Sequence, residues 1–315
     1  MNTPSLTSVG LGKSFGPVVA VQGLDLKVEG AKCVGFLGPN GAGKTTTLKM
    51  FADMIFPSRG EAFINGISVR KDRKHALSHA GVLIESPEIY PSLSPTEALE
   101  MVAEIRGVPR GEQPRRIRSV LEEVKMLDWA HQKVGRFSKG MKQRIQIAAA
   151  LVHDPEVLIL DEPSTGLDPR GMAEVRAIVR EQRKHGRLIF MSSHILSEVT
   201  DVCDEVALID RGKLLFYDTL ANVTARFSTG NVQVDAVFVR PLDPAQVTGT
   251  IAHLPGVKEV ELLDPKRVRL GVPPGALEQA QVLEALVALR LGLVSFKEST
   301  GALEDVYMQQ IARGD

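Results

Sequence analysis

Nothing in this sequence of 315 residues approaches the run of roughly 20 apolar residues that spans a bilayer, and the N-terminus has no secretory pattern. Work at a membrane therefore calls for another chain to hold this one there. Cysteine is scarce. The two present, Cys33 and Cys203, lie in apolar surroundings without metal-ligand spacing, which argues against a disulfide framework and points to a reducing compartment. Net charge is also missing: 38 Lys and Arg balance 38 Asp and Glu, so the bulk charge carries no sign of a nucleic-acid partner. What remains is 43% apolar and 24% charged, an ordinary globular composition with length enough for two cores.

The most informative segment that is present is Gly38-Pro39-Asn40-Gly41-Ala42-Gly43-Lys44-Thr45. It follows a strand-like stretch, Cys33-Val34-Gly35-Phe36-Leu37, and opens a helix-like one, Thr46-Thr47-Leu48-Lys49-Met50. Glycines at 38, 41 and 43 let the backbone curl so that successive N–H groups point at one anion. The helix start adds the positive end of its dipole. Lys44 can reach the β- and γ-phosphates, and the Thr45 hydroxyl can ligate Mg²⁺. A plain Gly-rich turn seldom has this spacing between a strand and a helix, and the segment reads as a site for a nucleoside triphosphate.

Residues 5 to about 220 read as one unit and residues 228–315 as another, with the first domain bounded at 1–222. The first opens with short β-rich runs, Val18-Val19-Ala20-Val21 and Leu24-Asp25-Leu26-Lys27-Val28, separated by glycine. Ser94-Pro95-Thr96-Glu97 is a capping box with Pro at the first helical position. Helical pattern runs on to about 128, broken near Gly107-Val108-Pro109, and a helical subdomain is expected over about 90–155. Its arginines, Arg106, Arg110, Arg115, Arg116 and Arg118, suit a solvated face better than a nucleic-acid patch. Met141–Val152 is helical in pattern, and Val157-Leu158-Ile159-Leu160 is a buried strand. Asp168-Pro169 starts another helix that Gly186 closes, and strands at 188–192 and 205–210 follow. Such alternation implies an α/β fold with a mostly parallel, covered sheet. The tail differs: strand 231–240, helix 243–254, strands 257–263 and 267–272, helix 276–290, strand 292–298, then a helix near 302–312. That order, βαββαβ, is the ferredoxin-like arrangement.

Strand 157–160 runs into Asp161-Glu162. One carboxylate can hold Mg²⁺ and the other can polarise an attacking water, although strand ends often carry acids. Phe137-Ser138-Lys139-Gly140-Met141 precedes an amphipathic helix. It offers a serine, a close-approach glycine and free N–H groups, yet alone it equally fits an ordinary N-cap. His194 follows Met191-Ser192-Ser193 at a strand end, and Asp168 explains itself as an N-cap.

Taken in order, Phe15, the loop 38–45, Glu85, the pentapeptide 137–141, Asp161-Glu162, Ser164-Thr165-Gly166-Leu167-Asp168 and His194 resemble the ATP-binding cassette (ABC) ATPase family across residues 5 to about 220. The resemblance implies a P-loop nucleotide-binding domain with a core α/β lobe, an antiparallel β part and a helical subdomain, followed by a small α+β domain. It implies an ATPase with ATP and Mg²⁺ as cofactors and two copies meeting head to tail in a homodimer. It implies Phe15 on the adenine, and residues Gly38, Pro39, Asn40, Gly41, Ala42, Gly43, Lys44, Thr45 and Thr46 around the phosphates. Ser138 and Gly140 would face the partner copy's nucleotide, and Asp168 would cross the interface. Glu162 matches the base, His194 the γ-phosphate contact, and Thr45, Asp161 and Glu85 the metal shell. Two departures stand out: Lys139 and Met141 replace glycine and glutamine in the pentapeptide, and Glu85 stands where glutamine is usual.

The resemblance further implies a transporter subunit on the cytoplasmic face of the membrane, energising a separate permease. It points to the drug- and antibiotic-exporter branch, which carries a small C-terminal accessory domain and endings similar to Leu303-Glu304-Asp305-Val306-Tyr307. Alternatives are a soluble mechanoenzyme or a regulatory ATP-binding module. A long coiled coil has no room between Lys44 and Ser138, 94 residues apart (138 − 44). One cassette per chain opposes the translation factors, and the presence of Glu162 and His194 opposes dead catalysis. The tail lacks Cys-x-x-Cys, so pairing or regulation suits it better than metal delivery. No nucleic-acid partner is expected.

Overall fold

The computed structural model describes residues 3–85, 89–227, 232–273 and 275–298. Two compact units divide the chain, Met1–Leu220 and Ala221–Asp315.

The first unit opens with a long antiparallel pair, β1 (Ser5–Phe15) and β2 (Val18–Glu29). The two short runs expected around 18–28 are one continuous strand. Gly23 takes φ +78° inside it, and an added Cβ there would lie 3.0 Å from Arg59 Nη2. The glycine admits a side chain from across the sheet and does not end the strand. After β3 (Cys33–Leu37) and α1 (Lys44–Phe51) come β4 (Arg59–Ile64) and β5 (Ile67–Ser68), which complete a sheet of order β2-β1-β4-β5.

The second sheet positions the site. After α2 (Arg73–Ser78) it gains β6 (Ala80–Leu83). Three helices follow: α3 (Pro95–Ile105), α4 (Gln113–Glu123) and α5 (Lys139–Leu151). Ser94 and Glu97 form the expected reciprocal cap on α3. Then come β7 (Val157–Asp161), α6 (Pro169–Lys184), β8 (Leu188–Ser193), α7 (Leu196–Val202), β9 (Glu205–Asp210) and β10 (Lys213–Thr219). The order is β10-β9-β3-β8-β7-β6, parallel except for β10. All of β3 and β8 is buried, as a strand covered on both faces must be. One core, including Phe36, Phe51, Phe190, Leu6 and Leu24, joins the two sheets.

The second unit contains α8 (Leu220–Phe227) from Ala221 onward, then β11 (Val232–Phe238), α9 (Pro244–Gly249), β12 (Glu259–Asp264), β13 (Arg267–Val272), α10 (Ala276–Ala288) and β14 (Leu293–Glu298). Its sheet order is β12-β13-β11-β14 with antiparallel pairs throughout, the ferredoxin-like arrangement. Helix α9 is shorter than expected. Its backbone tightens into a 3₁₀ turn at Ile251–His253 after Thr250. Val234, Phe238, Leu270, Val282 and Leu286 form a core of its own. The helix expected at 302–312 and the segment 303–307 lie outside the described residues, as do Ser86 and Pro87.

Candidate functional site

The register of the parallel strands brings the site together. Leu37 pairs with Ser193 and Asp161 with Ser192, so the carboxyl ends of β3, β7 and β8 finish side by side. That edge is where open α/β sheets bind ligands.

From β3 the chain turns through residues 38–43 into α1. Gly43 has φ +103°, and a Cβ there would lie 2.5 Å from the Ala20 carbonyl oxygen, so only glycine fits. Lys44 is 5% exposed. Its ammonium donates to the Gly38 carbonyl at 2.7 Å and the Pro39 carbonyl at 3.1 Å, and it lies 3.8 Å from Glu162 Oε1. Burial pulls its pKa below the usual lysine value, while the charges of Glu162 and Asp161 act to raise it. The lysine is thus held over its own loop by weak acceptors that an anion can replace. Thr47 Oγ1 donates to the Gly43 carbonyl at 2.9 Å, closing the first turn of α1. Thr45 and Thr46 beside it are half-buried.

Ser192 stitches the acid pair. Its hydroxyl donates to Asp161 Oδ1 at 2.5 Å and accepts the Glu162 N–H at 2.9 Å. Glu162 sits at φ +44°, a strained turn that aims its carboxylate away from the strand. That carboxylate accepts from Thr165 Oγ1 at 2.9 Å and lies 3.0 Å from His194 Nδ1. Lys44, Asp161, Glu162, Ser192 and His194 therefore form one constellation. Ser192 and Thr165 appeared in the sequence only inside longer runs, with no role of their own, since a hydroxyl gives no signal until the elements that neighbour it in space are known.

Asp161 and Thr45 are hard oxygen donors of the kind Mg²⁺ takes. Among the described residues no group of three or more His, Cys, Asp or Glu could hold a metal alone. The donors present suit a Mg²⁺ that completes its shell with water and phosphate. Glu85 does not join them here. Its carboxylate accepts from Lys49 Nζ at 2.5 Å, 64% exposed, at φ +47°.

Ser138 and Gly140 lie elsewhere, around a cavity of about 490 Å³ with Asp168, Gly171, Arg144 and Trp129. Ser138 caps α5 through the Met141 N–H at 3.2 Å, and Asp168 caps α6 through the Gly171 N–H at 2.7 Å. An added Cβ at Gly140 would meet only Gly171 Cα, at an ordinary 3.5 Å. Nothing among the described residues requires glycine there. Phe15, at the end of β1, is 51% exposed, with Lys13 Nζ 4.9 Å from its ring centroid. It is not a core residue.

A parallel sheet with a glycine-rich phosphate loop at one strand end and an acid pair at another defines a nucleoside-triphosphatase. The family model described as ABC transporter matches residues 21–165. An uncharacterized ABC transporter ATP-binding protein of Bacillus subtilis, YhcH, is 34% identical over 291 residues, 92% of this chain and 90% of that protein. The bacitracin transport ATP-binding protein BcrA of Bacillus licheniformis is 43% identical, covering 65% of this chain and 66% of its own length. The linearmycin resistance ATP-binding protein LnrL of Bacillus subtilis is 29% identical, covering 96% of each. A solved ATP-binding subunit of an ABC transporter superposes with TM-score 0.64 at 29% identity, over 70% of this chain and 92% of that one. The chain belongs to the ABC transporter ATP-binding family, whose members bind and hydrolyse ATP.

Proposed function

We propose that this chain powers an exporter whose membrane-spanning part is a separate permease, through ATP-driven pairing of two copies. The observation that carries the reading is the division of the site. The loop, acid pair and histidine gather at one strand edge, while Ser138, Gly140 and Asp168 line a second cavity that includes none of them. A glycine without a reason among the described residues is explained by a ligand approaching from outside. Each half-site is then completed by the partner copy, Ser138 and Gly140 meeting the phosphates bound by the other loop.

Within one site, Lys44 and the loop N–H groups at 38–45 hold the phosphates, and Phe15 stacks on the base. Thr45 and Asp161 hold Mg²⁺, which when bound neutralises phosphate charge. Glu162 takes the proton from the attacking water. His194, oriented by its contact with Glu162, meets the γ-phosphate. A base so placed contributes about 10²–10⁴ in rate.

The exporter reading is supported by the names of BcrA and LnrL, a transport and a resistance protein. Among the described residues no helix is long and apolar enough to cross a membrane. An apolar groove of about 220 Å³ between α3, α5 and β6, with Tyr90 and Met101 exposed at its rim, is where we place the permease. That contact puts the chain on the cytoplasmic face of the membrane as a peripheral subunit.

Glu162→Gln keeps the shape of the site and removes the base. It should cut kcat by about 10²–10⁴ and trap an ATP-bound dimer visible by light scattering. A strictly monomeric variant at saturating ATP would overturn the reading.

A further inference from the structure

Two consecutive buried serines end β8, Ser192 at 0% and Ser193 at 1% exposure. Neighbouring side chains on a strand point to opposite faces, so the two serve different partners. Ser192 serves the acid pair on β7. Ser193 serves the turn that follows. Its Oγ accepts the Ile195 N–H at 2.9 Å and lies 2.9 Å from Glu198 Oε2 and 3.3 Å from the Ile195 carbonyl. A hydroxyl has one proton to give. The shorter contact sends it to Glu198 and leaves a lone pair for Ile195.

Glu198 itself is 1% exposed, and its Oε1 has no hydrogen-bond partner among the described residues. A buried carboxylate with a bare oxygen is unfavourable, and a hydrophobic residue would fill this helix face without that penalty. The helix that carries it is tightly seated: a Cβ added to Gly35 of β3 would lie 2.6 Å from Val199 Cγ1 and 3.1 Å from Cys203 Sγ. Helix α7 is therefore referenced to the strand that feeds the phosphate loop. Between the two anchored residues, Ser193 and Ile195, stands His194, with Nδ1 3.0 Å from Glu162.

We infer that Glu198 and Ser193 are a positioning pair for His194. The carboxylate orients the Ser193 hydroxyl, the hydroxyl fixes the Ile195 N–H, and the turn so fixed aims the imidazole at Glu162. Neither residue touches the reacting atoms. The pair transmits the position of β3, and so of the loop, to the histidine.

The inference rests on the role of His194 proposed above. Steady-state ATPase assays on Ser193→Ala, Glu198→Ala, Glu198→Gln, His194→Ala and the double variant His194→Ala/Glu198→Ala test it. Misplacing a reacting group by an ångström costs about 10²-fold, and we expect a fall in kcat approaching that in Ser193→Ala and Glu198→Ala, with KM for ATP held within about twofold because only the transition state is affected. Glu198→Gln keeps an acceptor oxygen and should recover most of the rate. The double variant should be no slower than His194→Ala alone, since groups acting through one another are not additive. Unchanged kcat in both single variants, multiplicative effects in the double, or Glu198→Gln as slow as Glu198→Ala would overturn it. Loss of ATP binding in Ser193→Ala and Glu198→Ala alike would also overturn it, by showing a purely structural role. Full activity in His194→Ala would instead sink the role of the histidine. A slow His194→Ala beside fast Glu198→Ala and Ser193→Ala would sink only the positioning pair.

Discussion

Glu85 occupies a backbone conformation that L-residues adopt at a cost of about 1–2 kcal/mol, and its side chain is spent on an ion pair with Lys49. An ion pair this exposed is worth at most about 1 kcal/mol. The carboxylate can therefore leave Lys49 for a metal at small expense. If it does, Mg²⁺ and Glu85 attract, whereas without metal the carboxylate faces bare phosphate charge and ATP binding weakens. Glu85→Gln should then reduce the dependence of ATP affinity on Mg²⁺. Titrating ATP with and without Mg²⁺ on both proteins checks this, and equal dependence would leave Glu85 as a contact for the permease. At this scale the phosphate loop was readable from sequence because its glycines, lysine and threonine are contiguous. The pairing of Glu85 with Lys49, and the two serines of β8, were not, because each partner lies on a different element.

Among the elements, the junction of α5 with β6 carries a titratable group. His153, just beyond α5, donates from Nε2 to the Ala80 carbonyl at 3.1 Å, and its buried Nδ1 has no hydrogen-bond partner among the described residues. Burial, then the charge of Arg106, lowers its pKa from 6.5 to about 4; Arg116 also opposes protonation, while the Ala80 bond and Asp154 favour it. The folded value lies below the unfolded one, so the folded state resists a proton that the unfolded chain accepts. The resulting stability is whole above pH 6.5 and is lost as pH falls towards 4, on the order of 3 kcal/mol in all. His153→Asn, which keeps a donor, should flatten that part of the curve of urea midpoint against pH between 7 and 4.5. An unchanged slope would show that His153 is not the group responsible. Helix starts such as Ser94, Ser138 and Asp168 were legible because a cap is local chemistry. The antiparallel sheet was legible only in part, through the β-rich runs at 18–28 and the antiparallel β part that the resemblance implies. The pairing of β1 with β4 was not, since partners 47 to 58 residues apart (59 − 12 and 64 − 6) leave no local period, as Leu6 opposite Ile64 illustrates.

For the whole molecule, the two units have separate cores, and every residue proposed to meet nucleotide lies in the first. The similarity to YhcH and LnrL nonetheless runs through both units, over 291 and 307 residues. We propose that the second unit chiefly pairs with its copy or regulates that pairing. A chain ending at Phe227 should then bind ATP with unchanged affinity and dimerise less readily, as nucleotide binding by fluorescence and light scattering would report. Loss of ATP binding from a truncated chain that remains folded would show that the tail contributes to the site itself.

By itself the sequence determined the chemistry: a loop that binds phosphate, two carboxylates at a strand end, a capped helix start with a glycine, and a tail of βαββαβ order. Those features depend on neighbours along the chain, where spacing and side-chain type suffice. Only the tertiary structure decided which of them meet. Parallel pairing set Asp161 opposite Ser192 and Leu37 opposite Ser193. It thereby gathered Lys44, Glu162 and His194 at one edge, and the packing of α3, α5 and α6 held Ser138 and Asp168 at another cavity. Strand order is a property of distant segments competing for the same core, and no local pattern encodes it.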